Sequence, residues 1–319
     1  MKKFIETIKN IWSIEDLRNR ILTTLLLTLI YRIGSFIALP GIDANALTDF
    51  ERNSNQGILG LVNMFAGGSF SRASIFALGI MPYISASIAI QLLTMAVPHF
   101  QKLQKEGESG HKKINQYTRY LTVIVTGFQA SAYVAYLRNQ SGGAIIPEYG
   151  SFFFWLSTTV ILTAGTLFVM WLGEKMTDKG IGNGTSIIIM VGILARLPEA
   201  LIAEFSSKVA GAAGGPILFL IEIAIFIIIT VGLILLVQGT RKIPVNYAKR
   251  IVGNKQYGGV RQFIPLKVNA AGVMPIIFAQ AIMFIPATAI GFATSSESAS
   301  GFIRVFSDHT NAIYNLIYG

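Results

Sequence analysis

Gly79-Ile80-Met81-Pro82-Tyr83-Ile84 decides how this chain is read, because the sequence states it twice. The hexapeptide returns as Gly272-Val273-Met274-Pro275-Ile276-Ile277, with Gly, Met, Pro and the final Ile kept. Both copies lie in long apolar runs, and in both the proline falls where a helix interior is expected. There it would remove one backbone donor and press on the carbonyl four residues back, at Leu78 and Ala271. In hydrocarbon a freed carbonyl needs protein or water beside it, so such a bend belongs at a packed interface or a cavity. Two bent helices in matching positions of two halves predict a membrane protein with an internal repeat and a functional site near mid-depth. Gly and Pro are frequent in membrane helices, so chance recurrence is the other reading of a six-residue echo.

Composition bears on that choice. Of 319 residues, 52% are hydrophobic and 13% charged, against about 25% charged in soluble domains. Mean hydropathy is +0.57. A soluble chain of this length would need more charge to cover its surface, so the expected class is all-α and polytopic in a membrane. The absence of cysteine excludes disulfides, zinc-thiolate sites and thiol catalysis. His99, His111 and His309 are scattered without ligand spacing and read as solvated loop residues; no metal and no cofactor are expected.

Met1 to Arg20 carries both signs of charge with Phe4, Ile8, Ile11, Trp12 and Leu17 at helical spacing, which predicts an amphipathic helix on the membrane surface. The apolar run after it is too long for a cleavable signal, so it is expected to stay attached. A crossing needs about 20 apolar residues. On that measure spans are expected at about 21–39, 74–97, 120–136, 152–172, 181–197, 216–237 and 268–292, with 312–319 opening an eighth that the sequence cuts off. Most of the 26 Lys and Arg fall on one side: at the N-terminus, at 102–119, at Lys175 and Lys179, and at 241–267. By the positive-inside rule that side, and the N-terminus with it, is cytoplasmic. The net charge of +10 is then topological, and DNA is not an expected partner.

Ile58 to Ala66 is apolar but too short to cross, and Gly67-Gly68 separates it from the next run. It reads either as a re-entrant half-helix covered by protein or as an amphipathic loop helix outside the bilayer. Arg32 lies inside a span and Glu222 near the end of another. Intramembrane charge is a functional hypothesis by default, although a single Arg bonding helix carbonyls is the simpler reading. No chain of Asp, Glu or His crosses the bilayer to relay protons or hold sodium, and no nucleophile–base arrangement can be assembled, so no enzyme is expected. Gly180-Ile181-Gly182-Asn183-Gly184 lacks the lysine of a phosphate-binding loop and reads as a flexible lead-in to the fifth helix. Gln91, Gln129 and Asn269 are polar residues in apolar helices, expected to hydrogen-bond between helices.

Four stretches carry a resemblance. Ser71 to Ile88, which contains the opening hexapeptide, is similar to the second-helix signature of the SecY family, the protein-conducting channel of the Sec translocon. Lys105-Glu106-Gly107-Glu108-Ser109-Gly110 with Gln116-Tyr117-Thr118-Arg119-Tyr120 resembles that family's loop into the third helix. Met170-Trp171-Leu172-Gly173-Glu174 with Gly180 to Gly184 resembles the passage from fourth to fifth. Val245-Asn246-Tyr247-Ala248-Lys249-Arg250 with Pro265-Leu266-Lys267-Val268-Asn269 resembles the large cytoplasmic loop and the start of the seventh.

The resemblance implies two inverted halves of five spans around an hourglass pore. Residues 21–205 would form the first half and 206–319 an incomplete second, lacking most of the eighth span and all of the ninth and tenth. It implies a pore ring at Ile80, Ile84, Ile189 and Ile277, with a hydroxyl at Thr185 where relatives often carry an aliphatic residue. Ile58, Leu61, Val62, Met64 and Phe65 would belong to a plug over about 58–70. Gln91, Gln129 and Asn269 would belong to the lateral gate. Arg241, Lys242, Lys249, Arg250 and Lys255 would help dock the ribosome or the SecA ATPase, although positive-inside bias alone also accounts for them. SecE-like and SecG-like subunits, signal sequences, nascent polypeptides and lipid complete the implied partners, in a bacterial inner membrane. An apolar ring excludes ions by dewetting yet has no fixed charge to grip a passing chain. The rival expectation is a small-molecule transporter with inverted repeats, which would need a polar midplane site.

Overall fold

The computed structural model describes residues 6, 9, 11–42, 63–140, 151–209, 215–246, 250–252, 255–257 and 261–269. They fall into two compact units, Met1–Pro198 (with Ala279–Gly319) and Glu199–Phe278.

The first unit opens on α1, Glu15–Gly34, with Glu15 and Asp16 in its first turn and Arg32 in its last, each complementing the helix dipole. Glu15 to Arg20 therefore continue into the first apolar helix and are not part of a separate surface helix; the break falls at Ile14, in extended conformation. Leu27, Tyr31 and Gly34 share its buried face, while Leu22, Leu25, Leu26, Leu29 and Ile33 are exposed. Gly34 is a close approach: a Cβ there would lie 2.0 Å from the Phe76 ring. Beyond Gly34 the chain leaves the helix, and Leu39 N donates to Ala73 O (2.8 Å) while Ile75 N donates to Ile37 O (2.9 Å). The helix at the first expected span thus ends before Leu39, because residues 37–39 pair with 73–75 as a bridge, and α1 is not among the helices apolar enough by themselves to count as a crossing.

The second expected span is corrected more deeply. Residues 74–80, expected as its opening, form a bridge and turns, not helix, and α2 covers only Met81–Ala96. Pro82 stands at its first turn, where the missing N–H has no intrahelical role. No ladder bond is lost, and Ile84 N reaches Ile80 O at 3.1 Å. Pro82 starts a helix; it does not bend one. The bend comes at the other end, where Val97 is held extended by the proline after it. There α3, Pro98–Lys105, departs from α2 at 97°.

Gly107, at positive φ, turns the chain into α4, Glu108–Gln140. Its apolar part was expected from Tyr120, and the helix extends three turns ahead of it through polar sequence. Thr118, Thr122, Thr126, Ala130, Tyr133 and Leu137 are buried at three- and four-residue intervals. The three threonine hydroxyls donate to the carbonyls of Ile114, Thr118 and Thr122 in their own helix. Helix α5, Ser151–Lys179, buries Phe154, Thr158, Leu162, Thr166, Val169, Leu172 and Met176 in the same periodicity. It packs on α1 and α4, and α4 packs on α2. Helix α6 is Gly184–Val209, with Pro198 inside it.

The second unit holds the end of α6 and α7, Gly215–Gln238, whose described side chains are none of them buried. The loop after α7 pairs β1 (Thr240–Asn246) with β4 (Arg261–Lys267), Thr240 opposite Lys267, and β2 (Arg250–Val252) with β3 (Lys255–Tyr257). These strands were not expected. Among the described residues four helices are long and apolar enough to cross a membrane, five if α2 and α3 count as one bent span. The expected seventh span and the fragment of an eighth lie outside the described residues, apart from Val268 and Asn269.

Candidate pore constriction and its seat

Ile80 ends the run of turns and precedes α2. It is buried in one apolar cluster with Leu27, Tyr31, Phe76, Val169, Leu172, Met176 and Ile188. Ile84, one turn into α2, and Ile189 on α6 are half-buried and pack against the same cluster. Three of the four expected ring residues are therefore brought together; Ile277 lies outside the described residues. Gly173 makes the closeness possible. A Cβ there would come within 3.1 Å of Thr185 Cγ2 and within 3.6 Å of Ile80 Cδ1.

Next to this cluster a polar cavity of about 320 Å³ is lined by Tyr83, Asn115, Arg119, Glu174, Thr177, Asp178, Asn183 and Thr185. Arg119 grips Glu174 with two bonds, Nε to Oε1 at 3.2 Å and Nη2 to Oε2 at 2.6 Å, tying α4 to α5. The hydroxyl at Thr185 is spent locally. It donates to Asn183 Oδ1 (2.6 Å), which also accepts from the N–H groups of Thr185 and Ser186 and so caps α6.

The described part of the expected plug, residues 63–70, packs in a second apolar cluster, where Ala66 and Phe70 meet Leu39, Ala77, Tyr133 and Leu137. Ala66 is buried, in contact range of Gly79, the residue before Ile80. Gly67 and Gly68 have φ of +63° and +81°, the left-handed region that glycine enters without penalty. Asn63 binds the turn from inside: its carbonyl accepts from Gly68 N at 2.9 Å and its Oδ1 from Ser71 N at 3.1 Å. Tyr133 on α4 donates its hydroxyl to Phe70 O at 2.7 Å. Arg72 Nη2 donates to Gly67 O at 2.9 Å. Arg32, expected to bond helix carbonyls, stacks over Phe36 at 5.3 Å, with Arg72 over the same ring at 4.5 Å. Met64 is exposed and Phe65 half-buried, while Ile58, Leu61 and Val62 lie outside the described residues.

The expected gate residues part company. Gln91 is exposed and its Nε2 donates to Ser87 Oγ at 3.4 Å, one turn back in its own helix, so it does not bond across helices there. Gln129 is buried on α4. Asn269 is half-buried in the second unit. Of the expected docking residues, Arg241 and Lys242 are exposed on β1, Arg250 is on β2 and Lys255 on β3; Lys249 lies outside the described residues. Sequence reasoning missed a partner for Glu222. Lys208 Nζ lies 3.0 Å from Glu222 and 3.4 Å from Glu204, joining α6 to α7 within the second unit. A basic residue one turn after an acid, just ahead of a span carrying an acid, was the available signal.

Apolar helices long enough to cross a bilayer, an aliphatic cluster shared by α1, α5 and α6 with Ile80, and a turn-rich segment seated against α6 define a class, the multi-pass helical membrane proteins. The comparisons narrow it. The SecY family model matches residues 74–319. The Protein translocase subunit SecY of Rickettsia felis is 43% identical over 306 residues, covering 95% of this chain and 70% of the relative. A solved structure described as a protein conducting channel superposes with a TM-score of 0.57 at 18% identity, over 86% of this chain and 58% of that one. Sec61 in the canine ribosome-channel complex superposes with a TM-score of 0.56 at 17% identity and the same coverage. This chain belongs to the SecY family, the channel subunit of the Sec translocon. It spans about 70% of the relative's length and 58% of each solved channel's.

Proposed function

We propose that the chain conducts unfolded secretory polypeptides through the constriction at Ile80, Ile84, Ile189 and Ile277, and releases membrane helices sideways past Gln91, Gln129 and Asn269. The observation that carries this reading is the meeting of Ile80, Ile84 and Ile189, from two separate elements, in one apolar cluster. Residues 58–70 act as the plug that closes it from outside. The polar cavity around Arg119 and Glu174 opens on the cytoplasmic side, which carries the N-terminus and most of the basic residues. The channel is passive and is driven by SecA or by a translating ribosome, docked on the exposed strand loop after α7. A ribosome-bound relative among the similar structures supports the second driver. SecE-like and SecG-like subunits hold it in a bacterial inner membrane.

The test uses the cysteine-free background. A stalled secretory chain is expected to crosslink to single cysteines at 84, 189 and 277 and not to one at lipid-exposed Leu29. Strong crosslinking elsewhere with none at these three positions would remove the pore assignment. Ile84→Gly is expected to raise the resting ion conductance of vesicles, because a side chain is lost from the apolar ring.

A further inference from the structure

We propose that Arg196 is a positioning residue that fastens segment 63–71 in its closed seat, and that letting go of Ser71 is a step in opening. The proposal rests on the pore reading above. Helix α6 carries Ile189, and along its axis Gly192 lies about 4.5 Å and Arg196 about 10 Å further on. The segment meets the helix at both heights. At Gly192 backbone touches backbone: a Cβ there would lie 2.6 Å from Phe65 O and 3.4 Å from Gly67 N. One turn later Arg196 Nη2 donates to Ser71 Oγ at 3.1 Å, and its guanidinium lies so close to Gly68 that a Cβ there would be 2.9 Å from Nε.

Ser71 is the right residue to hold. Its N–H bonds Asn63 Oδ1 and its hydroxyl donates to Gly68 O at 3.1 Å, so one outside bond reaches the side chain that organises the whole turn. The bonds linking residues 63, 68 and 71 are internal to the segment, which lets it leave the seat as a unit once its outer contacts are released. Glycines at 67, 68 and 192 give the shape of the seat. Arg196 supplies a directional, charge-assisted hydrogen bond that can be broken and remade.

The experiment compares wild type, R196A, R196K, S71A and the double variant R196A/S71A in vesicles with a SecE-type partner. It reads resting ion conductance and the labelling of a single S69C cysteine, at a position buried in the seat, by a membrane-impermeant maleimide from outside. R196A is expected to raise conductance about tenfold or more, the shift that losing one charge-assisted hydrogen bond gives a two-state equilibrium. Labelling of S69C rises with it. R196K, which keeps a cationic donor, recovers most of the closure, and R196A/S71A is less leaky than the product of the R196A and S71A effects predicts, because the two changes share the Arg196–Ser71 bond while S71A also loses its own bond to Gly68 O. Unchanged conductance and labelling in R196A would overturn the latch, as would equal damage from R196K. If wild-type vesicles driven by the motor pass no secretory chain, the pore reading falls and takes the latch with it. If they do pass it and R196A behaves as wild type, the latch alone falls.

Discussion

The two polar surroundings of the aliphatic cluster are held by different means. At the cavity, α4 and α5 are joined side chain to side chain, by Arg119 on Glu174 with Arg119 half exposed. At the seat, apart from the Arg196–Ser71 bond, the contacts run to backbone: Tyr133 to Phe70 O, Arg72 to Gly67 O, and the bare face of Gly192 against Phe65 O. An exposed ion pair is screened and contributes about 0–1 kcal/mol. Steric fit between two backbones leaves no side chain to rotate away, so any added atom must displace the segment. The cavity side is therefore expected to tolerate substitution better than the seat.

The sharpest way to break this contrast is Gly192→Leu. Its side chain needs the space that Phe65 O occupies, and overpacking of this kind costs about 1–3 kcal/mol. The segment is expected to leave its seat, read as raised resting conductance and as outside labelling of a cysteine at position 69. Tyr133→Phe is next. It leaves the buried Phe70 carbonyl without this donor, costing about 1–3 kcal/mol, and is expected to lower the Tm of the detergent-solubilised protein and raise the same labelling more modestly. Arg119→Ala comes last, with an expected loss of at most about 1 kcal/mol that shrinks further as salt is added. A Tm loss from Arg119→Ala larger than that from Gly192→Leu would invert the comparison.

What the sequence made legible follows the same line. Apolar length located α4, α5, α6 and α7 because lipid imposes one requirement on every crossing residue. Segment 74–80 was misread, since a buried run of turns and a buried helix are equally apolar and periodicity cannot tell them apart. Gly79 at φ +55° was the clue that the hexapeptide starts a helix at Met81. The strands after α7 were missed although Lys242-Ile243-Pro244-Val245 alternates, because a basic loop was explained by its charge alone. The ring residues were nominated by resemblance to known motifs. Gly192 and Arg196 were not, because a seat is defined by what lies across from it and leaves no local spacing to read.

The threonine ladder of α4 has a further consequence. Thr118, Thr122 and Thr126 face the protein interior yet direct their hydroxyl protons to carbonyls of their own helix. A face of that kind owes nothing to its neighbour. If a neighbouring helix slides along this face or parts from it, these hydroxyls strand no donor in oil, because their bonds stay within α4 throughout the movement.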